Sequence, residues 1–241
     1  RKMSRAYIHK TLSAQLDARL KEMGVSGYSI ENVSQVQDKN GEWRPIDSDK
    51  DPTVILLHYP SILEDTINYI PPRVKIEISC LSMDEPTELR PIRSLIGESF
   101  DGEDTDAESL VRTVVPSRTF LEKLFLLAEE FQKEKPRSVR MSRHLYDLEK
   151  LMDTEYGKEA LSNRDLYDAI VEHRKAYYAL KYVNYDSHTP STINFTIPES
   201  AMEAWQDDYA DMRRFFIYGE SLEFDELMQK MRELQERVRI M

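Results

Sequence analysis

Apolar and polar residues alternate with two different periods along this chain, and the change of period divides the sequence in two. Up to about residue 116, an alternation of period two predicts strands at 28–36, 53–59, 74–80 and 88–96. They are expected to form a meander of one mixed sheet. Ahead of them, apolar residues three to four apart over 3–23 predict an amphipathic helix that ends at Gly24.

After residue 116 the apolar residues recur with helical spacing to the end of the chain. A broad apolar stripe follows Thr119, and further helices are predicted at 142–153, 163–180, 198–218 and 221–238. Segments 119–122 and 196–199 have the spacing of a capping box, and the polar segment 184–197 is expected to follow the surface. The predicted fold class is therefore α+β, with an α/β part over 1–116 and a helical domain over 117–241.

The strand at 74–80 places two charged side chains next to each other. Val74, Ile76 and Ile78 would face a core, and Lys75 and Glu77 would share the opposite face. A carboxylate beside a cation suits a site that holds a metal ion and a phosphate. A solvated ion pair on a half-exposed strand would give the same pattern.

Two of the predicted helices carry further candidate residues. Lys123 lies at the border of the apolar stripe, where an ordinary surface lysine could also lie. Arg143 and Asp147 are four residues apart and would project together, which also fits a surface ion pair within the helix. The capping box at 119–122 would explain Glu122.

The formal net charge of -11 argues against a protein coated with positive charge for wrapping nucleic acid. Charge is unevenly distributed, since 97–109 carries six acids and no base, whereas 133–143 carries five bases and one acid. A local basic segment is what capture of a phosphorylated ligand requires, and a solvated basic loop would look the same. We interpret Asp104-Thr105-Asp106 as part of the acidic loop.

Several classes of protein are not supported by the sequence. The single cysteine, Cys80, excludes an intrachain disulfide, and the five histidines lack a zinc-binding spacing. No serine lies in a G-x-S-x-G context. No apolar run approaches the ~20 residues of a membrane span, and no signal peptide is seen, so a cytoplasmic protein without a membrane partner is expected.

Three motifs in order along the chain resemble a known family. The strand VKIEI with Lys75 and Glu77, the segment RTFLEKLFLL that begins at Arg118, and the segment RHLYDL that begins at Arg143 are similar to motifs two, three and four of the AbiEii/AbiGii toxin nucleotidyltransferases. The resemblance implies a polymerase-β-like nucleotidyltransferase core with a mixed sheet and a C-terminal helical domain. It also implies a role in bacterial toxin–antitoxin systems or in abortive infection, a defence against phage.

The resemblance further implies what the motif residues do. Such enzymes move a nucleoside monophosphate from an NTP to an acceptor, in some relatives RNA, and a cognate antitoxin protein would be a partner. By this analogy Glu77, Lys123 and Asp147 would be catalytic, with Glu77 as the third carboxylate ligand of Mg²⁺. Substrate binding would fall to the three basic residues Lys75, Arg118 and Arg143.

One departure from the family pattern concerns the metal. The family's first motif, a glycine-rich turn followed by D-x-D, has no match before residue 73, although its aspartates would supply most of the metal ligands. We therefore expect this chain to be the C-terminal portion of a longer protein and to be inactive by itself.

Two hypotheses from other classes compete with the enzyme. A non-catalytic module on the same fold could use the basic segment 133–143 to bind RNA or an acidic protein. A helical interaction scaffold is favoured by the charged helix at 221–238. An upstream glycine-rich turn with D-x-D would favour the enzyme.

Overall fold

The computed structural model of the protein describes residues 2–37, 41–47, 51–62, 71–81, 86–100 and 108–241. The chain folds into two compact units, Arg1–Ser82 and Met83–Met241. Within the described ranges, no helix is both long enough and apolar enough to cross a membrane. The predicted domain division at residue 116 stays a prediction, and Asp104–Asp106 lie outside the described residues.

The first unit begins with a nearly continuous helix. It consists of α1 (Lys2–Tyr7), a π-helical turn (Ile8–Leu12) and α2 (Ser13–Glu22). Gly24 follows with φ of 75°, a backbone conformation that glycine adopts without a steric penalty, so the predicted helix and its end are confirmed. Ile8 is buried, and Asn32 donates to His9 O and Ser13 Oγ, which ties the helix to the first strand.

Five short strands follow among the described residues of the first unit. They are β1 (Ser29–Asn32), β2 (Gln35–Gln37), β3 (Trp43–Pro45), β4 (Thr53–His58) and β5 (Arg73–Ile78). Strand β4 lies between β1 and β5 in an antiparallel three-stranded sheet, whereas β2 and β3 pair separately. The predicted strand 28–36 is therefore two strands in two different sheets.

Strand β5 is less buried than its alternation suggests. Ile76 and Ile78 are half-buried, but Val74 is 49% exposed, so the prediction that Val74 faces a core is wrong. The reason is its place in the sheet, because β4 is the only strand in the described part of the chain that pairs with β5. Lys75 lies opposite Leu56 and Glu77 opposite Val54.

The second unit opens with an antiparallel hairpin of β6 (Thr87–Arg93) and β7 (Glu108–Val114). The predicted strand 88–96 ends at Arg93 because Ser94 Oγ accepts from Gly97 N and caps a short helix, α3 (Leu95–Ser99). The described strands form three small sheets with antiparallel pairs throughout. A single mixed sheet is therefore not seen among them.

Six α-helices follow the hairpin in the described part of the second unit. They are α4 (Pro116–Glu130), α5 (Arg143–Met152), α6 (Glu155–Ser162), α7 (Arg164–His173, continued by a π-helical turn over Arg174–Tyr178), α8 (Met202–Phe215) and α9 (Phe224–Arg239). All except α6 were predicted. The predicted surface segment 184–197 is wrong in part, because Ile193, Phe195 and Ile197 are buried and Gln235 hydrogen-bonds the backbone of the first two.

Neither of the two predicted capping boxes, at 119–122 and 196–199, begins at the N-cap of a helix. Helix α4 begins at Pro116, so Thr119 lies inside its first turn and donates to Val115 O. The segment 196–199 leads into a 3-10 turn without a side-chain cap. Both predicted boxes are therefore wrong. The box that forms joins Glu223 and Glu226 at the start of α9, where each side chain accepts from the other's backbone amide.

A buried carboxylate on α8 holds the start of α5. Asp208 accepts hydrogen bonds from Arg140 N at 2.5 Å, Ser142 N at 3.0 Å and Ser142 Oγ at 2.5 Å. Arg140 has φ of 58°, an uncommon conformation for a residue with a Cβ, so the loop before α5 depends on these bonds.

We expect Asp208→Asn to lower the free energy of unfolding by about 1–3 kcal/mol, because an amide cannot accept all three hydrogen bonds. Urea denaturation measures the change. The neighbouring Asp207 is exposed, and Asp207→Asn is the matched control with an expected change below about 0.5 kcal/mol. Equal changes in the two variants would contradict the capping role of Asp208.

Candidate functional site

Two of the predicted catalytic residues meet between α4 and α5. Lys123 Nζ donates to Asp147 Oδ2 at 2.6 Å, with the side chains 22% and 35% exposed. Phe120 and Leu124 on α4 are fully buried, and their packing leaves Lys123 at the edge of the apolar stripe, as predicted. An ammonium carries three N–H donors, and Asp147 uses one of them. The pair is therefore partly accessible and retains donor capacity.

Arg143 does not form the predicted ion pair with Asp147. Asp147 bonds to Lys123 instead, so the interpretation of Arg143 and Asp147 as an ion pair within α5 is wrong. Arg143 is exposed and has no ion-pair partner among the residues that the structure describes. Its charge is thus available to a ligand.

His144, which was not among the predicted site residues, follows Arg143 on α5 and is buried. It is 7% exposed, and its Nδ1 is buried without a hydrogen-bond partner in the described part of the chain. Burial, together with the nearby cations Lys123, Arg143 and Arg137, lowers the pKa of His144 to about 3. The imidazole is therefore neutral. Its helical spacing of three from Asp147 was the only sequence signal for it.

Arg118 lies in the interior of the second unit. Its guanidinium is 1% exposed and bonds to Glu122 at 2.5 Å, whose carboxylate also accepts from Arg174. Arg174 in turn forms two hydrogen bonds with the buried Glu129. Two arginines and two glutamates thus form a charge-balanced network that joins α4 to the π-helical turn after α7. This burial argues against direct contact between Arg118 and a substrate.

Part of the basic segment 133–143 is neutralised internally. Glu130 is buried and accepts from Lys133 Nζ at 2.7 Å and from Arg137 Nη2 at 2.8 Å. Burial alone would raise the pKa of Glu130, but the hydrogen bonds from Arg137 and Lys133 outweigh it, and the pKa is lowered. Lys135 and Arg143 remain as exposed charges.

In the first unit, Lys75 and Glu77 form an ion pair on β5. Lys75 Nζ lies 2.7 Å from Glu77 Oε1, with the side chains 53% and 48% exposed. The two therefore share a face, as predicted, and this face is open to water. The pair fits a solvated surface contact as well as a ligand site.

The described residues do not by themselves provide a metal site. Among them, no three histidine, cysteine, aspartate or glutamate side chains are placed to hold a metal ion together. Glu77 would thus be a single ligand, and its carboxylate bonds to Lys75. Strand β5 and helices α4 and α5 belong to different compact units, and the convergence of Glu77 with Lys123 and Asp147 stays a prediction.

A comparison with protein families assigns the chain. The model of one family, described as nucleotidyl transferase AbiEii toxin, type IV TA system, matches residues 4–230. The chain belongs to this family. The resemblance inferred from the three motifs is thereby confirmed, and the matched residues include all of them. No match was found among curated proteins or among solved structures.

Membership in the AbiEii family defines the general class of function. The family comprises nucleotidyltransferase toxins of type IV toxin–antitoxin systems, which implies a nucleotide substrate and an antitoxin partner. The Lys123–Asp147 pair and the neutral His144 are accordingly the part of the second unit to test for nucleotide chemistry.

The buried histidines predict how stability depends on pH. Burial lowers the pKa of His144 to about 3 and, with Arg174 nearby, that of His188 to about 4. Below pH ~6.5 the unfolded chain therefore takes up protons that the folded chain does not, so stability falls as pH falls. From pH 7 to pH 5 we expect a loss of up to about 2 kcal/mol for each histidine, measured by urea denaturation.

Substitution of His144 tests whether this residue causes part of the change of stability with pH. His144→Phe should remove its share of the loss between pH 7 and pH 5, because phenylalanine does not titrate. The unchanged protein, measured at the same pH values, is the reference for this difference. An unchanged slope in His144→Phe would show that His144 is not buried in the neutral form.

Proposed function

We propose that the protein, in a form that carries the family's first motif, transfers a nucleoside monophosphate from an NTP to an acceptor, with RNA as the acceptor class. The observation that carries the proposal is the Lys123–Asp147 pair, two motif residues from different helices that meet at a partly open surface. In this proposal the 241-residue chain alone is inactive, because no glycine-rich turn followed by D-x-D precedes residue 73.

The side chains of the second unit suit the handling of a triphosphate. Asp147 holds the Lys123 ammonium in one place, and the remaining N–H donors of Lys123 can contact phosphate oxygens. Arg143, exposed and without an ion partner in the described part of the chain, can add a second cation. Fixed positive charge near a leaving pyrophosphate favours its departure.

Dependence on Mg²⁺ is part of this proposal and is supported by the family. The described residues do not form a complete site for the ion, so Glu77 would supply one ligand and the first motif the others. We assign no step to the metal. Lys75 forms an ion pair with Glu77, and a cation beside a metal ligand suits the binding of a triphosphate. We therefore propose that Lys75 lies next to the triphosphate.

A polymerase-β-like core, a division into domains near residue 116 and a location in the cytoplasm are proposed with the function. For Arg118 we propose an indirect role, in which its bond to Glu122 fixes the helix that carries Lys123.

A transfer assay tests the proposal. The protein extended to include the first motif is incubated with total RNA and each of the four α-labelled NTPs, with Mg²⁺ or with EDTA. Label should enter RNA only with Mg²⁺, and the 241-residue chain should transfer none. Failure of the extended protein with all four nucleotides, while it binds RNA, would contradict the enzyme.

That outcome would favour a non-catalytic module that binds RNA or a protein. One observation supports this second candidate: two cation–carboxylate pairs among the candidate residues, Lys75–Glu77 and Lys123–Asp147, are already neutralised within the protein. Neither pair needs a ligand to balance its charge. Filter binding of the 241-residue chain to labelled RNA at several salt concentrations measures such an activity.

A further inference from the structure

The imidazole of His144 lacks a hydrogen-bond partner that the protein would be expected to supply. The side chain is more than nine-tenths buried, and Nδ1 has no partner among the residues that the structure describes. An unsatisfied buried polar atom costs about 1–3 kcal/mol, and most such atoms in folded proteins have a partner. A partner that binds from outside would remove this cost.

The surroundings of His144 restrict which ligand could be that partner. Lys123, Arg143 and Arg137 all act electrostatically on the imidazole, so three cations lie near it. Asp147, one turn along α5, is engaged by Lys123, and Arg137 by Glu130. Arg143 stays exposed, and Lys123 has further N–H donors. An anion with several oxygen acceptors fits this arrangement, whereas a cation does not.

We infer that His144 contacts a phosphate group bound at the Lys123–Asp147 pair and donates a hydrogen bond to one of its oxygens. The inference rests on the proposed function and assigns a residue that the motif comparison left without a role. On α5, Asp147 is three residues from His144 and four from Arg143, so its side chain is a neighbour of both on the helix surface.

The neutral state of the imidazole is consistent with this role. A neutral imidazole carries one N–H donor and one acceptor, so it can donate to a phosphate oxygen and add no further charge. Burial, helped by the nearby cations, keeps it neutral in the absence of the ligand. A bound anion would oppose them and favour the protonated form, so binding should raise the pKa of His144.

Nuclear magnetic resonance of the 241-residue chain tests the contact directly. The chain has five histidines, so selective ¹⁵N labelling gives five imidazoles to follow while inorganic pyrophosphate is added. Assignment uses His144→Phe. We expect the His144 signals to shift with pyrophosphate and its pKa to rise in the complex. Unmoved His144 signals, while pyrophosphate binds elsewhere on the chain, would overturn the inference.

Two substitutions of His144 distinguish a direct contact with pyrophosphate from a purely structural role. His144→Phe should weaken pyrophosphate binding roughly ten- to a hundred-fold, the effect of losing one hydrogen bond to a charged group. His144→Asn keeps a donor near the Nδ1 position and should restore part of the affinity. If both variants bind like the original chain, the role of His144 is structural and the inference fails. If a variant fails to fold, the pyrophosphate titration of the original chain decides.

His188 is a matched control for this experiment. It is 2% exposed, its Nδ1 is also without a partner in the described part of the chain, and burial lowers its pKa as well, but its ring lies against Phe125 and bonds to Gln132. His188→Phe should leave pyrophosphate affinity unchanged. An equal loss in both phenylalanine variants would indicate a general loss of structure and contradict a specific contact by His144.

The transfer assay distinguishes the two proposals. If the His144 signals respond to pyrophosphate but the extended protein transfers no nucleotide, the proposed phosphate contact is supported and the proposed enzyme activity is contradicted. If His144→Phe in the extended protein leaves the rate of nucleotide transfer unchanged, and pyrophosphate does not shift the His144 signals, the enzyme activity is supported and the inference about His144 is contradicted.

Discussion

Lys123→Met in the extended protein is expected to lower the rate of nucleotide transfer by roughly a thousandfold or more. Methionine keeps the unbranched stem but removes the charge, and the charge next to the reacting phosphates supplies most of the proposed stabilisation. Asp147→Asn should cause a comparable loss because it releases the ammonium. Glu77→Gln should also lower the transfer rate to a comparable extent if β5 lies in the active site. The measurement is label transfer from α-labelled NTP into RNA.

Stability and a neighbouring lysine provide the controls. The Lys123–Asp147 pair is partly exposed, so each variant should unfold within about 1 kcal/mol of the unchanged protein. Lys150 lies on α5 beyond Asp147, is partly exposed and forms an ion pair with Glu149. Lys150→Met should keep transfer within about twofold. A full rate in Glu77→Gln would remove β5 from the active site, and a full rate in Lys123→Met would refute the enzyme mechanism.

The largest expected loss of stability follows from substituting Arg174. Arg174→Met would leave Glu122 and the buried Glu129 without their shared cation, which typically costs about 3–5 kcal/mol. Burial would lower the pKa of Arg174, but its hydrogen bonds with Glu129 and the charge of Glu122 raise it. The arginine is therefore charged at any pH at which the protein folds. Urea denaturation at pH 7 measures the loss.

Helix α7 offers a matched control for this change. Arg164 lies in the same helix region and forms two hydrogen bonds with Asp168, but both side chains are about half exposed. Arg164→Met should therefore change stability by at most about 0.5 kcal/mol. A loss below about 1 kcal/mol in Arg174→Met would show that the four charged residues do not act as a buried, charge-balanced unit.

The sequence alone was sufficient to predict most of the helices, and it singled out Lys123 and Asp147, which the structure brings together. Helix α5 carries Leu145 and Leu148 at helical spacing, and burial of both follows directly from that period. The same spacing placed Lys123 at the edge of the apolar stripe on α4. The motifs that contain Lys123 and Asp147 led to the AbiEii family, which the family comparison confirmed.

Errors arose where a residue had more than one possible partner. Asp147 had a cation four residues before it on the same helix, yet it pairs with Lys123 on α4. Glu122 fitted a capping box but lies in the network with Arg118 and Arg174. Local spacing predicts the nearest partner, and a buried or half-buried carboxylate instead bonds to the donor that tertiary packing brings closest.

The sequence by itself determined which faces of the helices are apolar, because helical periodicity is a property of neighbouring residues. Only the tertiary structure decided that Lys123 and Asp147 meet, that Arg143 stays exposed, and that His144 is enclosed without a partner for Nδ1 among the described residues. These three facts depend on how α4 packs against α5. Contacts between helices join residues that are distant in the chain, so no periodicity records them.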